Sequence, residues 1–269
     1  MIPAAFAYQR ASSVEEASRL LGQPGDVKVL AGGQSLIPLM RLRLAQPSML
    51  VDINGLASDL GYIRRDNGAL RVGGLTRHYQ IQQSDEVKRS LPILAEMANE
   101  VGDEQVRSMG TIGGVLAHAD PAGDYGTLAL MLDATITTNR RSIAARDFFK
   151  GLFTTALQGD ELVVEVSFPV ASGPHSYLKF RRRLYDWAVV GAGAQRMDDG
   201  KWRVGITNAA ATAVRAVAVE QALASGASAA DAAKQASQGL DPSSDLRGSA
   251  DYKKHLAQVL TQRALEGAS

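Results

Sequence analysis

Val29-Leu30-Ala31-Gly32-Gly33-Gln34-Ser35-Leu36 reads as the end of a strand, a double-glycine turn and the start of a helix. Glycines let backbone amides approach an anion closely, and a helix N-terminus adds unpaired N–H groups and the positive end of its dipole. The stretch has the form of a phosphate seat, with a plain tight turn capped by Ser35 as the alternative. Around it the first fifty residues form an α/β unit. Ser12 and Ser13 precede Glu15 and Glu16 at capping-box spacing, and Val14, Ala17, Leu20 and Leu21 supply a helical apolar face. Gly22, Pro24 and Gly25 end that helix, Val27 to Leu30 is a short strand, Pro38 falls in the first turn of the next helix, and Leu50 to Ile53 returns as a strand.

A second glycine pair lies in Gly110-Thr111-Ile112-Gly113-Gly114-Val115-Leu116-Ala117-His118-Ala119-Asp120-Pro121-Ala122-Gly123-Asp124. Amides that take phosphate oxygens, beside a carboxylate that accepts from a hydroxyl, suit a dinucleotide. Asp124 as cap of a helix from Tyr125 to Leu132 is the competing use. The stretch from Gly102 to Asp124 is aperiodic and too long for an ordinary connection, which predicts a functional loop. In Lys179-Phe180-Arg181-Arg182-Arg183-Leu184-Tyr185-Asp186-Trp187-Ala188 the arginines read as a solvated face, and Asp186-Trp187 offers a planar ring a stacking surface with a polar group beside it. Gly191-Ala192-Gly193-Ala194-Gln195-Arg196 begins like a dinucleotide fingerprint, but Arg196 replaces the third glycine and the helix is missing. His118 near Asp120 has no serine, cysteine or metal to serve, so the histidine is expected to be satisfied by backbone.

The chain has 269 residues, 45% of them apolar, which suffices for a real core and for two domains. With 29 basic and 28 acidic side chains, its field is too weak to hold nucleic acid or an anionic membrane nonspecifically. The apolar runs Leu128 to Leu132 and Ala188 to Ala194 fall short of the roughly 18 residues of a membrane span. Met1 to Tyr8 lacks the features of a secretory signal, so a cytoplasmic site is expected. The absence of cysteine excludes disulfides, thiol nucleophiles and cysteine-held zinc or iron–sulfur clusters on this chain. His78, His118, His175 and His255 form no ligand pair at helical spacing, and no metal site is expected.

Further strands are predicted at Ala69 to Val72, Ala134 to Thr138 and Leu162 to Phe168, with helices near Thr76 to Gln83 and Glu86 to Val101. Pro169 to Pro174 reads as a linker. Strands then follow at Tyr177 to Phe180, Trp187 to Gly191 and Trp202 to Thr207. Alanine-rich helices close the chain, the first capped by Thr212, the second by Ser228 with Asp231, the last striped by Tyr252, Leu256, Val259, Leu260 and Ala264.

Taken together, AGGQSL at 31–36, MGTIGGVLAHADPAGD at 109–124 and RRRLYDWA at 181–188 closely resemble the FAD-binding medium subunits of the molybdenum hydroxylases, nearest to the carbon monoxide dehydrogenase type. The resemblance covers essentially the whole chain, including Met1-Ile2-Pro3, Leu50-Val51-Asp52 and Gly205-Ile206-Thr207-Asn208. It implies an α+β fold: a two-lobed FAD-binding domain of the vanillyl-alcohol-oxidase type over residues 1–170, with lobes of about 1–55 and 56–170, then a C-terminal α/β domain of antiparallel strands and helices over 175–269. By the same resemblance Ala31, Gly32, Gly33, Gln34 and Ser35 should contact the FAD pyrophosphate largely through backbone amides, with Leu30 and Leu36 also at the cofactor, and Thr111, Ile112, Gly113 and Gly114 should form a second wall. His118 and Asp120 should line that loop, Asp124 should bind a cofactor hydroxyl, Leu162 should lie beside the adenine or ribityl portion, and Lys179, Asp186 and Trp187 should flank the isoalloxazine. Val115 stands where related chains commonly carry asparagine.

The role implied is electron transfer, with no catalytic side chain on this subunit. Electrons pass from [2Fe-2S] clusters on a small partner, fed by a molybdenum cofactor on a large partner, through FAD to a quinone, oxygen or nicotinamide. The assembly implied is a dimer of heterotrimers in the cytoplasm, with an acceptor able to draw it to the inner face of a membrane. A stand-alone FAD oxidase of the same fold and a cofactor-free binding module are the competing classes. The first needs a substrate pocket and an acid–base pair that the sequence does not display, and the second leaves three co-occurring motifs as coincidence.

Overall fold

The computed structural model describes residues 2–268; Met1 and Ser269, the ends of the expected domains, lie outside the described residues. The N-terminal lobe is a three-stranded parallel sheet with Met49–Asp52 between Ala7–Arg10 and Val27–Leu30. Its first crossover is the expected capped helix, Val14–Leu21. Ser13 Oγ accepts from the Glu16 amide at 3.1 Å while the Glu16 carboxylate accepts from the Ser12 amide at 2.8 Å, and Ala17, Leu20 and Leu21 are buried against the sheet.

The middle region is a five-stranded antiparallel sheet in the order Ile63–Asp66, Ala69–Gly73, Val163–Pro169, Thr135–Thr138, Ser142–Ala144. Helices pack on it around the largest core, which includes Tyr125, Phe148 and Phe168. The helix expected over Glu86 to Val101 is two helices, Asp85–Ser90 and Pro92–Glu100, because Pro92 has no N–H to continue the first and is well placed in the opening turn of the second. The predicted loop from Gly102 to Asp124 is likewise two short helices, Glu104–Met109 and Ile112–His118. Asp103 caps one by accepting from the Val106 amide at 2.8 Å, and Thr111 caps the other by accepting from the Gly114 amide at 3.2 Å. Both are too short to show an apolar period in sequence. Pro169 to Pro174 is not a slack linker: Ala171 is fully buried and its amide donates to the Ser90 carbonyl.

The C-terminal region is a four-stranded antiparallel sheet, His175–Phe180, Val190–Arg196, Trp202–Thr207 and Val214–Arg215. Helices Val217–Ala224, Ala229–Ala233 and Ala250–Gly267 cover one face. The first of them starts beyond the expected cap: Thr212 bonds the Ala213 carbonyl, and a two-residue strand intervenes. Helix Asp124–Met131 covers the opposite face, which explains Gly193 of the rejected fingerprint and Gly205 on the neighbouring strand. A Cβ on Gly205 would lie 2.7 Å from Thr127 Cγ2, and one on Gly193 would lie 3.3 Å from Met131 Sδ. Those glycines admit a helix where larger residues would hold it away.

Polar contacts then lock the two regions together. Thr127 and Thr207 share a buried hydrogen bond of 2.6 Å, Arg215 pairs with Asp133, and His175 meets Glu96.

Candidate functional site

The turn between Val27–Leu30 and helix Leu36–Arg41 is built by Gly33, whose φ of +70° is a conformation open to glycine at little cost. The amides of Gly32, Gly33, Gln34, Ser35 and Leu36 have no hydrogen-bond acceptor among the described residues. Five consecutive donors are therefore left for something else, since unpaired N–H groups are costly unless solvent or a ligand meets them. Ser35 is in the helical region and makes no capping bond, so the plain capped turn is not what forms. The helix is only six residues long, so its dipole adds little and the individual N–H groups carry the attraction.

This loop is backed directly onto the second glycine pair. A Cβ on Gly32 would lie 2.4 Å from the Met109 carbonyl oxygen and 2.7 Å from Gly110 Cα, so the two chain segments touch backbone to backbone. The second pair differs from expectation in its amides. Ile112 N–H donates to the Thr76 carbonyl at 3.1 Å, Gly113 N–H to the Gly74 carbonyl at 2.9 Å, Gly114 N–H to Thr111 Oγ1 and Val115 N–H to the Thr111 carbonyl. These glycines bring helix Ile112–His118 against the Gly73-Gly74 corner, where a Cβ on Gly113 would lie 2.7 Å from the Gly74 oxygen. Val115 is packed against the core, which accounts for an apolar residue there.

Around the second loop His118 ends its helix with its ring 5.2 Å from Phe153 and, contrary to expectation, its ring makes no hydrogen bond to backbone among the described residues, and burial lowers its pKa. Asp120 shapes the following turn by accepting from the Ala122 amide at 2.9 Å. Asp124 is not the cap of the next helix; Gly123 holds that position, and Asp124 opens the first turn. Its carboxylate is buried, with one oxygen accepting from Tyr177 at 2.6 Å and the other from Lys179 Nζ at 2.9 Å. Lys179 also donates to the Glu100 carbonyl at 2.9 Å, so the pair stitches the C-terminal sheet to the middle region. Leu162 is buried in the core shared by the first two lobes, its amide donating to Asn139.

The third motif is an exposed bend between strands. Arg181 pairs with Glu100 at 2.6 Å, Arg182 donates to the Leu246 carbonyl, and Tyr185 has a φ of +72°. Arg181 and Lys179 thus tie this bend to the end of helix Pro92–Glu100, while Leu184, Tyr185 and Trp187 are exposed. Two residues without any motif signal join the constellation. Asn54 Nδ2 donates to the Ala31 carbonyl at 2.9 Å and its Oδ1 accepts from Arg77 at 2.6 Å, while Arg77 also donates to the Met109 carbonyl. Such partners, far apart in sequence and set by tertiary packing, leave no local pattern to find.

Two family models together match nearly the whole chain. A model described as the FAD binding domain in molybdopterin dehydrogenase matches residues 4–171, and one described as the CO dehydrogenase flavoprotein C-terminal domain matches residues 175–268. The carbon monoxide dehydrogenase medium chain of Hydrogenophaga pseudoflava is 38% identical over 100% of this chain and 98% of its own. The glyceraldehyde dehydrogenase medium chain of Sulfolobus acidocaldarius is 36% identical over 99% of each. A solved carbon monoxide dehydrogenase from Hydrogenophaga pseudoflava, lacking the Mo-pyranopterin moiety of its molybdenum cofactor, superposes with a TM-score of 0.94 at 39% identity, covering 100% of this chain and 98% of that one.

Proposed function

The chain belongs to the FAD-binding medium subunits of the molybdenum hydroxylases, and from that premise we propose that it holds one FAD noncovalently and passes electrons from a partner's iron–sulfur clusters to an external acceptor. The observation that carries the placement of the cofactor is the run of five unpaired amides from Gly32 to Leu36, backed onto Met109 and Gly110. Those N–H groups receive the pyrophosphate, which fits a turn that would otherwise leave them without partners. Thr111, Ile112, Gly113 and Gly114 shape the adjoining wall, with their own amides bonded inside the protein.

His118 and Asp120 shape the far edge of that wall. Asp124 reaches the cofactor with both oxygens already bonded, so a cofactor hydroxyl would be a further donor on a carboxylate that can accept about four. Lys179, Asp186 and Trp187 flank the ring end, and Leu162 supports the junction of the lobes. In domain terms the lobes at 1–55 and 56–170 hold the cofactor and 175–269 closes the ring end. FAD, when bound, supplies reversible one- and two-electron chemistry that side chains lack, and the protein's part is to bind, orient and tune it.

The molybdenum cofactor and the [2Fe-2S] clusters belong to a large and a small partner chain, and the assembly is a dimer of heterotrimers. No helix among the described residues is long and apolar enough to cross a membrane. Relatives named for carbon monoxide and for glyceraldehyde stand at nearly the same identity, so substrate choice belongs to the large partner. The purified chain should show a flavin spectrum, and denaturing precipitation should release the chromophore. A folded, colourless protein that ignores added FAD would refute the reading. Co-purification with one large chain and one small chain tests the assembly, and isolation of the flavoprotein alone from its native host would overturn it.

A further inference from the structure

The partly buried arginines of this chain mostly face carboxylates: Arg215 pairs with Glu220 and Asp133, Arg203 with Asp133, Arg71 with Glu165, and Arg181 with Glu100. Arg77 does not. Its half-buried guanidinium donates to two neutral oxygens, Asn54 Oδ1 and the Met109 carbonyl, and no carboxylate lies within ion-pair distance among the described residues. Asp52 is the nearest formal negative charge in its network and is reached only through Asn54, whose Nδ2 donates to it at 2.6 Å. Arg107 also lacks a carboxylate, but it is buried and wrapped by three carbonyls, those of Asn99, Val101 and Gly102, as a helix-end clamp would be. Arg77 has only two acceptors for five N–H donors.

Its two acceptors locate it. Asn54 holds the Ala31 carbonyl and Met109 touches Gly32, so the guanidinium is fastened to the junction of the two glycine segments, next to five unpaired amides. A half-buried cation beside a row of unpaired donors lacks an anion. Resting on the FAD reading above, we propose that Arg77 is the cationic contact for the cofactor's diphosphate, oriented for it by Asn54.

The full-length chain, stripped of flavin, is titrated with FAD, ADP and adenosine. The wild type is expected to prefer ADP over adenosine through its diphosphate. Arg77→Gln should weaken FAD and ADP by about ten- to a hundredfold, the worth of one hydrogen bond to a charged group, and leave adenosine nearly unchanged. Arg77→Lys should recover part of the loss, because it restores charge without the planar fork. Asn54→Ala should weaken ADP by less than Arg77→Gln does. A wild type that binds neither FAD nor ADP would overturn the FAD reading and this proposal together. FAD binding by the wild type with unchanged FAD affinity in Arg77→Gln, or an equal loss of ADP and adenosine in Arg77→Gln and Arg77→Lys, would overturn this proposal alone and make Arg77 a brace between loops.

Discussion

At residues 32–36 five successive N–H groups have no acceptor among the described residues, whereas at residues 112–115 every N–H group is already bonded, to Thr76, Gly74 and Thr111. Both segments carry a glycine pair, and both pairs permit an approach that a Cβ would block. What differs is the object approached. Gly33 turns the chain through a positive φ among amides that find no acceptor among the described residues, while Gly113 and Gly114 lie in a helix, Gly113 removing a side chain from a backbone contact with Gly74 and Gly114 from the Thr111 cap. A double glycine therefore signals close approach in general, and only the tertiary partner decides whether a ligand or another strand does the approaching. On this view the first segment should be sensitive in binding and the second in stability.

The largest expected effect falls on the buried anchor of the second segment. Asp124→Ala leaves Lys179 buried without its carboxylate, at a cost of about 3–5 kcal/mol in stability. FAD affinity, measured where the variant remains folded, should fall much less. Chemical denaturation with and without FAD checks both halves, and a loss of affinity with unchanged stability would reverse the comparison.

Gly33→Val is the converse. It forces a branched residue to a φ of +70° and drives its Cβ to within 2.6 Å of Ile37 Cδ1. Strain of this kind costs about 1–3 kcal/mol, met either by distorting the loop or by losing the FAD contacts. The chain should stay soluble, because the lobe's core lies elsewhere, and FAD affinity should fall by a comparable amount. Wild-type affinity would show the loop to be an ordinary turn.

The second segment also rests on a buried base from a neighbouring helix, which separates it from the first by pH. His78 lies beneath Gly110, stacked at 5.1 Å on Tyr125, and burial, followed by the charges of Arg77 and Arg107, pushes its pKa down to about 3 from 6.5. Between those values the unfolded chain binds a proton that the folded chain excludes. Stability should therefore drop by about 1.4 kcal/mol per unit as pH falls from about 6.5 towards 3, or about 2 kcal/mol at pH 5. Depressed carboxylates such as Glu161 add to acid sensitivity in the same direction, so the measurement is the difference between wild type and His78→Leu. Identical pH slopes in the two proteins would refute the assignment.

The legible parts of the molecule were those with local causes. The helix at Val14–Leu21 and the strand at Val27–Leu30 follow from a cap and from glycine and proline stops within a few residues. The helices at Glu104–Met109 and Ile112–His118 were hidden, since six or seven residues display too little period and one of them contains two glycines. The three motifs pointed to the two glycine segments and the bend, yet the bonded state of Gly113 and the presence of Asn54 and Arg77 depend on Gly74, Met109 and Ala31, which no reading of adjacent residues connects.

The smallest effect probes the proposed ring end, away from both glycine segments. Trp187 is 42% exposed on the bend that Arg181 and Lys179 fasten to helix Pro92–Glu100. If the first segment supplies the affinity through the diphosphate, removing a stacking surface should cost only about 1 kcal/mol, so Trp187→Ala should still bind FAD at micromolar excess. The flavin's absorption fine structure, fluorescence and reduction potential should nevertheless change, because ring electronics respond to stacking and to nearby charge. Trp187→Phe should fall between the two. In the assembled complex, reduction of the iron–sulfur clusters by substrate lies upstream and should be spared, while turnover with the acceptor falls. A Trp187→Ala protein with an unaltered flavin spectrum and intact turnover would place the bend away from the ring, and would leave Arg182 and Arg183 a solvated face beside Arg181, which Glu100 holds.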